Sequence, residues 1–215
     1  MELIAIAHPK FRPWLVSEAK ERSLVYRDQA FIAGKRGEYP EELETYRTSR
    51  SGLSMLLRPV KISDEPLLKD FFLSLSDESV RKRFISSRTD MPHERLQDFV
   101  IIDYTDEMVI LAVKGDEENE EVIGVGQYGI DPNSHTAEVA LVVRDDYQGK
   151  GVGTAILSYL TELAQKEGLL GFTAEVLIEN VPMMHLFERM GFDIQRRTEE
   201  GVIELRMGFR SSNAE

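Results

Sequence analysis

The sequence predicts an α+β fold in which helices flank a mixed, mainly antiparallel sheet. Three strand-like segments, residues 107–114, 121–130 and 136–144, follow one another with only short turns between them, and such spacing is typical of antiparallel neighbours. A helical pattern at residues 152–168 then leads to another apolar segment at residues 172–178. Because a helix between two strands allows them to pair in parallel, one parallel pair is expected within the sheet.

The other elements are predicted from capping residues and hydrophobic periodicity. Ser63 is a typical helix N-cap, with the acidic Asp64 and with Pro66 in the first turn, and Gly201 indicates a tight turn between two late strands. In chain order, these elements are a strand at 55–60, helices at 63–75, 77–84, 93–100 and 180–190, and a hairpin of strands 193–198 and 202–209.

Residues 1–52 differ from the rest of the chain. They contain three prolines and a short helical stretch at residues 17–26, but no apolar periodicity long enough to build a core. We therefore expect an N-terminal extension at residues 1–52, a main domain at residues 53–210 and a disordered tail at residues 211–215. The main domain is expected to fold without the extension.

Composition excludes several classes of protein. A net charge of −12 argues against a nucleic-acid partner, because binding phosphates requires clustered lysine and arginine. No apolar segment approaches the roughly 20 residues of a membrane span, and the N-terminus lacks a basic and apolar signal segment, so a cytoplasmic protein without a membrane partner is expected. The absence of cysteine excludes thiolate ligands, and the four histidines lack the spacing of metal ligands, so no metal is expected.

A glycine-rich segment between a strand and a helix is the strongest functional signal. Gly149, Gly151 and Gly153 alternate within residues 148–154. Glycines let a backbone approach a ligand closely, and the N–H groups at a helix start attract an anion, so the segment is typical of a pyrophosphate-binding loop. The spacing does not fit a P-loop, since glycine follows Lys150, nor the dinucleotide fingerprint, whose third glycine falls one residue later. A plain strand-to-helix turn is the alternative.

The residues around this loop resemble motifs A and B of the GNAT superfamily, the acetyl-CoA-dependent N-acyltransferases. Residues 137–143 are similar to the family's fourth strand. Residues 148–153 match its Gln/Arg-x-x-Gly-x-Gly/Ala signature, and residues 180–192 follow its Asn-to-Gly-Phe helix. The resemblance extends over about residues 53–209 and implies a GNAT-like fold for this part of the chain.

The resemblance implies acetyl-CoA as the cosubstrate, bound in a gap between two strands. The strands that carry Leu141 and Val176 would splay apart and receive the pantetheine arm. We expect contacts with coenzyme A from the fourth strand, the glycine loop and the last helix, at Leu141, Val142, Val143, Gln148, Gly149, Lys150, Gly151, Val152, Gly153, Thr154, Asn180 and Phe187. Lys150 and Arg144 are candidates for the positive charge that a polyanionic ligand needs in an acidic protein.

The implied reaction needs a base. A lysine-type ammonium, with a pKa of about 10.4, must lose a proton before its nitrogen attacks a thioester. Glu138 is similar to the glutamate that acts as general base in protein lysine acetyltransferases of this superfamily; a strand glutamate that merely faces solvent is the alternative. Phe187 stands where many members have a tyrosine that protonates the leaving thiolate. A thiol, with a pKa of about 8.5, leaves without such an acid.

We therefore expect an N-acetyltransferase with a protein lysine as acceptor, because residues 180–183 resemble the same helix start in bacterial protein lysine acetyltransferases. Acylation of a small amine and a non-catalytic acyl-CoA sensor are the alternatives. Residues 1 to about 33 resemble the C-terminal end of acetyl-CoA hydrolase/CoA-transferase proteins. Two partners are considered for the N-terminal residues: a fused upstream CoA-transferase-like domain, and a second copy of the chain in a homodimer.

Overall fold

The computed structural model describes residues 11–25, 39–85, 93–115 and 119–210. The predicted tail at residues 211–215 and part of the predicted N-terminal extension lie outside these ranges. Within the described residues, no helix combines the length and the apolar character that a membrane crossing requires.

The described residues contain eight strands and six α-helices, most of which begin and end within two residues of their predicted limits. The strands are β1 (Thr45–Thr48), β2 (Ser54–Pro59), β3 (Glu107–Lys114), β4 (Glu121–Asp131), β5 (Thr136–Val143), β6 (Gly171–Leu177), β7 (Asp193–Glu199) and β8 (Val202–Gly208). The helices are α1 (Arg12–Glu21), α2 (Glu65–Leu73), α3 (Asp77–Phe84), α4 (His93–Val100), α5 (Val152–Lys166) and α6 (Val181–Arg189).

All eight strands belong to one sheet, in the order β1-β2-β3-β4-β5-β6-β8-β7. β5 and β6 are parallel neighbours, and the other pairs of described strands are antiparallel. The parallel pairing covers only three positions, from Thr136 opposite Gly171 to Glu138 opposite Thr173. Beyond Glu138 the two strands diverge. The predicted α+β fold with a mixed, mainly antiparallel sheet is confirmed.

Apolar layers cover both faces of the sheet. α5 and α6 pack on one face with Val139 and Leu141 of β5, and α2, α3 and α4 pack on the other, where Val142 is buried. Gly126 on β4 lets α5 approach closely, because a Cβ at this position would lie 2.3 Å from an atom of Ile156. Since side chains alternate along a strand, Glu138 lies on the same face as Val142.

The N-terminal strand β1 was not predicted. Its burial pattern explains why: Tyr46, Arg47 and Thr48 are exposed, so the segment shows no apolar alternation. β1 nevertheless pairs with β2, from Thr45 opposite Leu57 to Thr48 opposite Ser54. A domain limit at residue 52 would therefore fall inside a β-hairpin, and we propose a limit before Tyr39 instead.

Asp64, predicted as an acidic residue of the first helical turn, lies just before α2 and binds a buried arginine. Its carboxylate makes no capping hydrogen bond to α2. It accepts hydrogen bonds of 2.6 and 2.9 Å from Arg58, which is only 1% exposed, and one of 2.7 Å from the Lys61 N–H. Glu120 binds the same guanidinium at 2.6 Å. Because a buried arginine needs acidic partners, tertiary burial decides the role of Asp64.

Candidate active site

The glycine loop connects β5 to α5 as predicted. Gly149 and Gly151 adopt positive φ angles of 71° and 88°, in the left-handed region that favours glycine. Gly151 is the N-cap residue of α5, whose first turn begins at Val152. The first N–H groups of a helix have no partner within the helix, so this end of α5 presents hydrogen-bond donors and a partial positive charge.

An added Cβ atom would meet different surroundings at each of the three glycines. A Cβ at Gly149 would meet no atom within 4 Å, so open space adjoins this residue. A Cβ at Gly151 would lie 3.1 Å from Ser49 Cβ, in the turn between β1 and β2, and therefore not in a ligand's path. A Cβ at Gly153 would be 3.4 Å from Leu186 of α6, an ordinary contact distance. Of the three, only Gly149 has open space in the direction of an added side chain.

One edge of β5 presents backbone groups to the gap between β5 and β6. The Arg144 N–H donates to Ile123 O at 3.0 Å, so every second residue of β5, counted back from Arg144, forms hydrogen bonds with β4. The residues between them, among them Val143 and Leu141, therefore direct their backbone N–H and C=O groups away from β4. No described strand pairs with them on that side, because β6 has already diverged. An extended ligand with amide groups has the chemistry to add to such an edge.

A hydrogen-bond network joins the glycine loop to the start of α3. Gln148 Nε2 donates to Ser79 Oγ at 3.1 Å. Ser79 Oγ donates to Asp145 Oδ1 at 2.8 Å, and the same carboxylate accepts from the N–H of Ser76 at 3.0 Å and from its hydroxyl at 2.7 Å. Burial opposes ionisation of Asp145, but these hydrogen bonds lower its pKa overall.

Sequence reasoning missed Ser79 and Asp145. Ser76 does show a local signal, because its side chain caps α3 by accepting from the Ser79 N–H. No local signal connects this helix start with an aspartate 66 residues further along the chain.

Glu138 lies at the closed end of the gap, in the last pair of β5 and β6. Glu138 is exposed, and its partner on β4 is Gly129. A Cβ atom added to Gly129 would meet no atom within 4 Å. Glu107 flanks the other side of Gly129. Burial, and next the nearby Asp103, raise the pKa of Glu107. Two carboxylates thus border an open place on the sheet.

Basic side chains also reach this face and the glycine loop. Burial and, to a smaller extent, the positive charge of Arg95 lower the pKa of the Arg83 guanidinium to about 10. The negative charge of Glu138 acts in the opposite direction. Near the loop, Arg144 is bound by Asp146 at 2.6 Å and by Glu121 at 2.5 Å, so its charge is compensated. The exposed Lys150, with Nζ 4.9 Å from the ring centre of Tyr147, forms no ion pair within the described residues.

The comparison with known proteins decides the family. A sequence model of the acetyltransferase (GNAT) family matches residues 74–192, more than half of the 215 residues. The chain belongs to the GNAT family. This assignment confirms the resemblance that residues 148–153 and 180–192 carry, together with the predicted enzyme class.

Several acetyltransferases are similar over most of the chain. The acetyltransferase Pat of Mycolicibacterium smegmatis is 32% identical over 156 residues, which cover 72% of this chain and 45% of that protein. The acetyltransferase PA5475 of Pseudomonas aeruginosa is 24% identical over 176 residues, or 82% of this chain and 91% of that one. The crystal structure of the GNAT domain of S. lividans PAT has a TM-score of 0.73 and 29% identity, and covers 80% of this chain and 100% of that chain.

The chain spans less than half of the length of the M. smegmatis protein. None of the three matches supports the resemblance of residues 1 to 33 to CoA-transferase proteins, so that resemblance stays a prediction.

Four of the predicted coenzyme A contacts differ in burial and local role. Asn180 is 7% exposed, and its Oδ1 accepts from the Met183 N–H at 3.4 Å, so it caps α6. Phe187 and Val152 are each 1% exposed, with their side chains in the core. Thr154 is exposed on the first turn of α5. Contacts of these residues with coenzyme A stay predictions.

Proposed function

We propose that the chain binds acetyl-CoA in the gap between β5 and β6 and transfers the acetyl group to a protein lysine. One observation carries this proposal: the gap opens beside the glycine loop and closes at Glu138, where β5 and β6 make their last pair. A thioester at the closed end of the gap would therefore lie next to a carboxylate.

The binding step uses backbone groups. The pyrophosphate of coenzyme A fits the N–H groups at the start of α5, beside the open space at Gly149. The pantetheine amides fit the edge of β5 at Leu141 and Val143, as an added strand would. Lys150 supplies a positive charge near the loop, a task for which the ion-paired Arg144 is poorly suited.

The chemical step is a direct attack of an amine on the acetyl carbon. Glu138 removes a proton from the ammonium, the amine nitrogen bonds to the carbonyl carbon, and the bond from that carbon to sulfur breaks. A backbone N–H of β5 polarises the carbonyl oxygen. The sulfur leaves as a thiolate and takes its proton from solvent, since a thiol has a pKa of about 8.5. Phe187, which cannot donate a proton, is compatible with this route.

The surroundings of Glu138 favour a cationic acceptor. Glu107 and Glu138 border the open place above Gly129, and Asp103 and Asp106 lie close enough to Glu107 to raise its pKa. Arg83 compensates part of this negative charge, and the four carboxylates still attract a lysine ammonium.

The test is labelled acetyl transfer. The chain is incubated with isotope-labelled acetyl-CoA, a lysine-rich protein mixture and a panel of small amines, and the products are identified by mass spectrometry. We expect label on protein lysines, and its loss with the Glu138→Gln variant. Label only on small amines would contradict the protein acceptor. Tight binding of acetyl-CoA without any transfer would favour the acyl-CoA sensor instead.

A further inference from the structure

The turn between β1 and β2, residues 49–52, rests on the glycine loop. Ser51 Oγ donates a hydrogen bond of 2.8 Å to the carbonyl oxygen of Lys150. Ser49 Oγ lies 2.9 Å from Ser51 Oγ and accepts from the Leu53 N–H at 3.3 Å, so it holds the Ser51 hydroxyl in place. Ser49 also lies against Gly151, where an added Cβ would be 3.1 Å away.

The hydrogen bond from Ser51 fixes the orientation of one peptide group. The Lys150 carbonyl and the Gly151 N–H belong to the same peptide plane, and in a trans peptide these two groups point in opposite directions. With the carbonyl held against the turn, the Gly151 N–H points away from it. Because the turn covers one side of the glycine loop, a ligand reaches the Gly151 N–H from the opposite side of the loop.

Two further contacts hold the segment that contains β1 against α5. Arg47 of β1 forms an ion pair of 2.7 Å with Glu162 of α5. The Tyr159 hydroxyl, also on α5, donates to Leu43 O at 2.5 Å. Residues 43–52 therefore contact both the loop and the helix whose N-terminus the loop forms.

We propose that Ser51 is a positioning residue of the coenzyme A site and that the β1–β2 hairpin belongs to this site. The inference rests on the proposed function, since it assumes that the glycine loop binds the pyrophosphate. Ser51 does not touch the ligand. It acts through the Lys150–Gly151 peptide, which it holds with the Gly151 N–H directed away from the turn.

The test measures coenzyme A binding by calorimetry with the full chain. Ser51→Ala removes the hydroxyl, Ser51→Thr keeps it, and Ser54→Ala is the matched control, because the Ser54 hydroxyl contacts Thr48 and not the loop. We expect the Kd of Ser51→Ala to rise roughly two- to tenfold, as the loss of one hydrogen bond allows. Ser51→Thr and Ser54→Ala should bind like the wild type.

A second readout separates positioning from general stability. The amide signal of Gly151 is followed by NMR as coenzyme A is added; its shift should be smaller in Ser51→Ala than in Ser54→Ala. Equal affinities and equal shifts in these two variants would overturn the role of Ser51 while leaving the proposed function intact. Failure of the wild-type chain to bind coenzyme A would overturn both.

Discussion

Gln148 and Val143 are joined by a hydrogen bond of 3.1 Å, from Gln148 Nε2 to the carbonyl oxygen of Val143. The same Nε2 donates to Ser79 Oγ. One amide group thus connects the glycine loop, the edge of β5 and the start of α3. Because a carbonyl oxygen has two lone pairs, Val143 can accept a second hydrogen bond from a ligand while it keeps the first.

The first prediction concerns Asp145, which holds Ser76 and Ser79 in this network. Its pKa is lowered in the folded state, so its stabilising contribution is complete above the ordinary aspartate pKa of about 3.9 and is lost as the pH falls through the lowered value. Asp145→Asn should therefore be less stable than the wild type at pH 7. The difference in free energy of unfolding should vanish in strong acid.

Urea unfolding between pH 7 and pH 2 measures this difference. Asp70→Asn, on the exposed side of α2, is the control and should follow the wild type at every pH. A difference for Asp145→Asn that persists unchanged into strong acid would show that the carboxylate charge is not what stabilises the network.

The second prediction concerns Glu138. If Glu138 is the base, Glu138→Gln should lower kcat by about 100-fold or more, in the range of a general base, and leave the Kd of acetyl-CoA unchanged. Glu204→Gln is a suitable control, because Glu204 is also an exposed strand glutamate but lies on β8. Steady-state kinetics and calorimetry measure the two effects. Full activity of Glu138→Gln would assign the base to another group.

The third prediction separates ligand access from backbone strain at the loop. Valine at position 149 is strained by the positive φ angle of 71° and also fills the open space there. Gly201→Val carries the same kind of strain, at a φ angle of 87°, in the turn between β7 and β8. Both variants should lose similar stability, but only Gly149→Val should weaken coenzyme A binding, by about tenfold or more.

Calorimetric titration with coenzyme A and thermal unfolding of both variants provide these comparisons. Gly153→Ala should bind normally, since the nearest atom to its Cβ would be 3.4 Å away. Equal losses of affinity at positions 149 and 201 would mean that strain alone, rather than blocked access, explains the effect.

The fourth prediction concerns the domain limit. A fragment that begins at residue 39 keeps β1 and its contacts with α5, whereas one that begins at residue 53 loses the Arg47–Glu162 ion pair and the Tyr159–Leu43 hydrogen bond. We expect the longer fragment to melt near the temperature of the full chain and the shorter one to melt clearly below it. Circular dichroism melting curves decide this. Identical melting temperatures would restore the limit at residue 52.

Local sequence patterns determined most of the fold. The limits of α3, α4 and β3 were predicted to the residue, because a helix cap, helical periodicity and a continuous apolar run are signals of a few neighbouring positions. The strand and helix that flank the glycine loop of motif A were predicted to within two residues. Each of these signals arises from residues that are close in sequence, so no long-range packing has to be known.

Contacts between distant residues were decided only by the tertiary structure. Asp64 binds Arg58, Arg144 is compensated by Glu121, and Ser49 packs against the left-handed Gly151. β1 gave no apolar signal, since its stability comes from pairing with β2 and from contacts with α5. The short pairing of β5 with β6 was expected from the family resemblance, because periodicity carries no sign of where two strands part. Periodicity reports which face of an element is buried, but not which partner covers it.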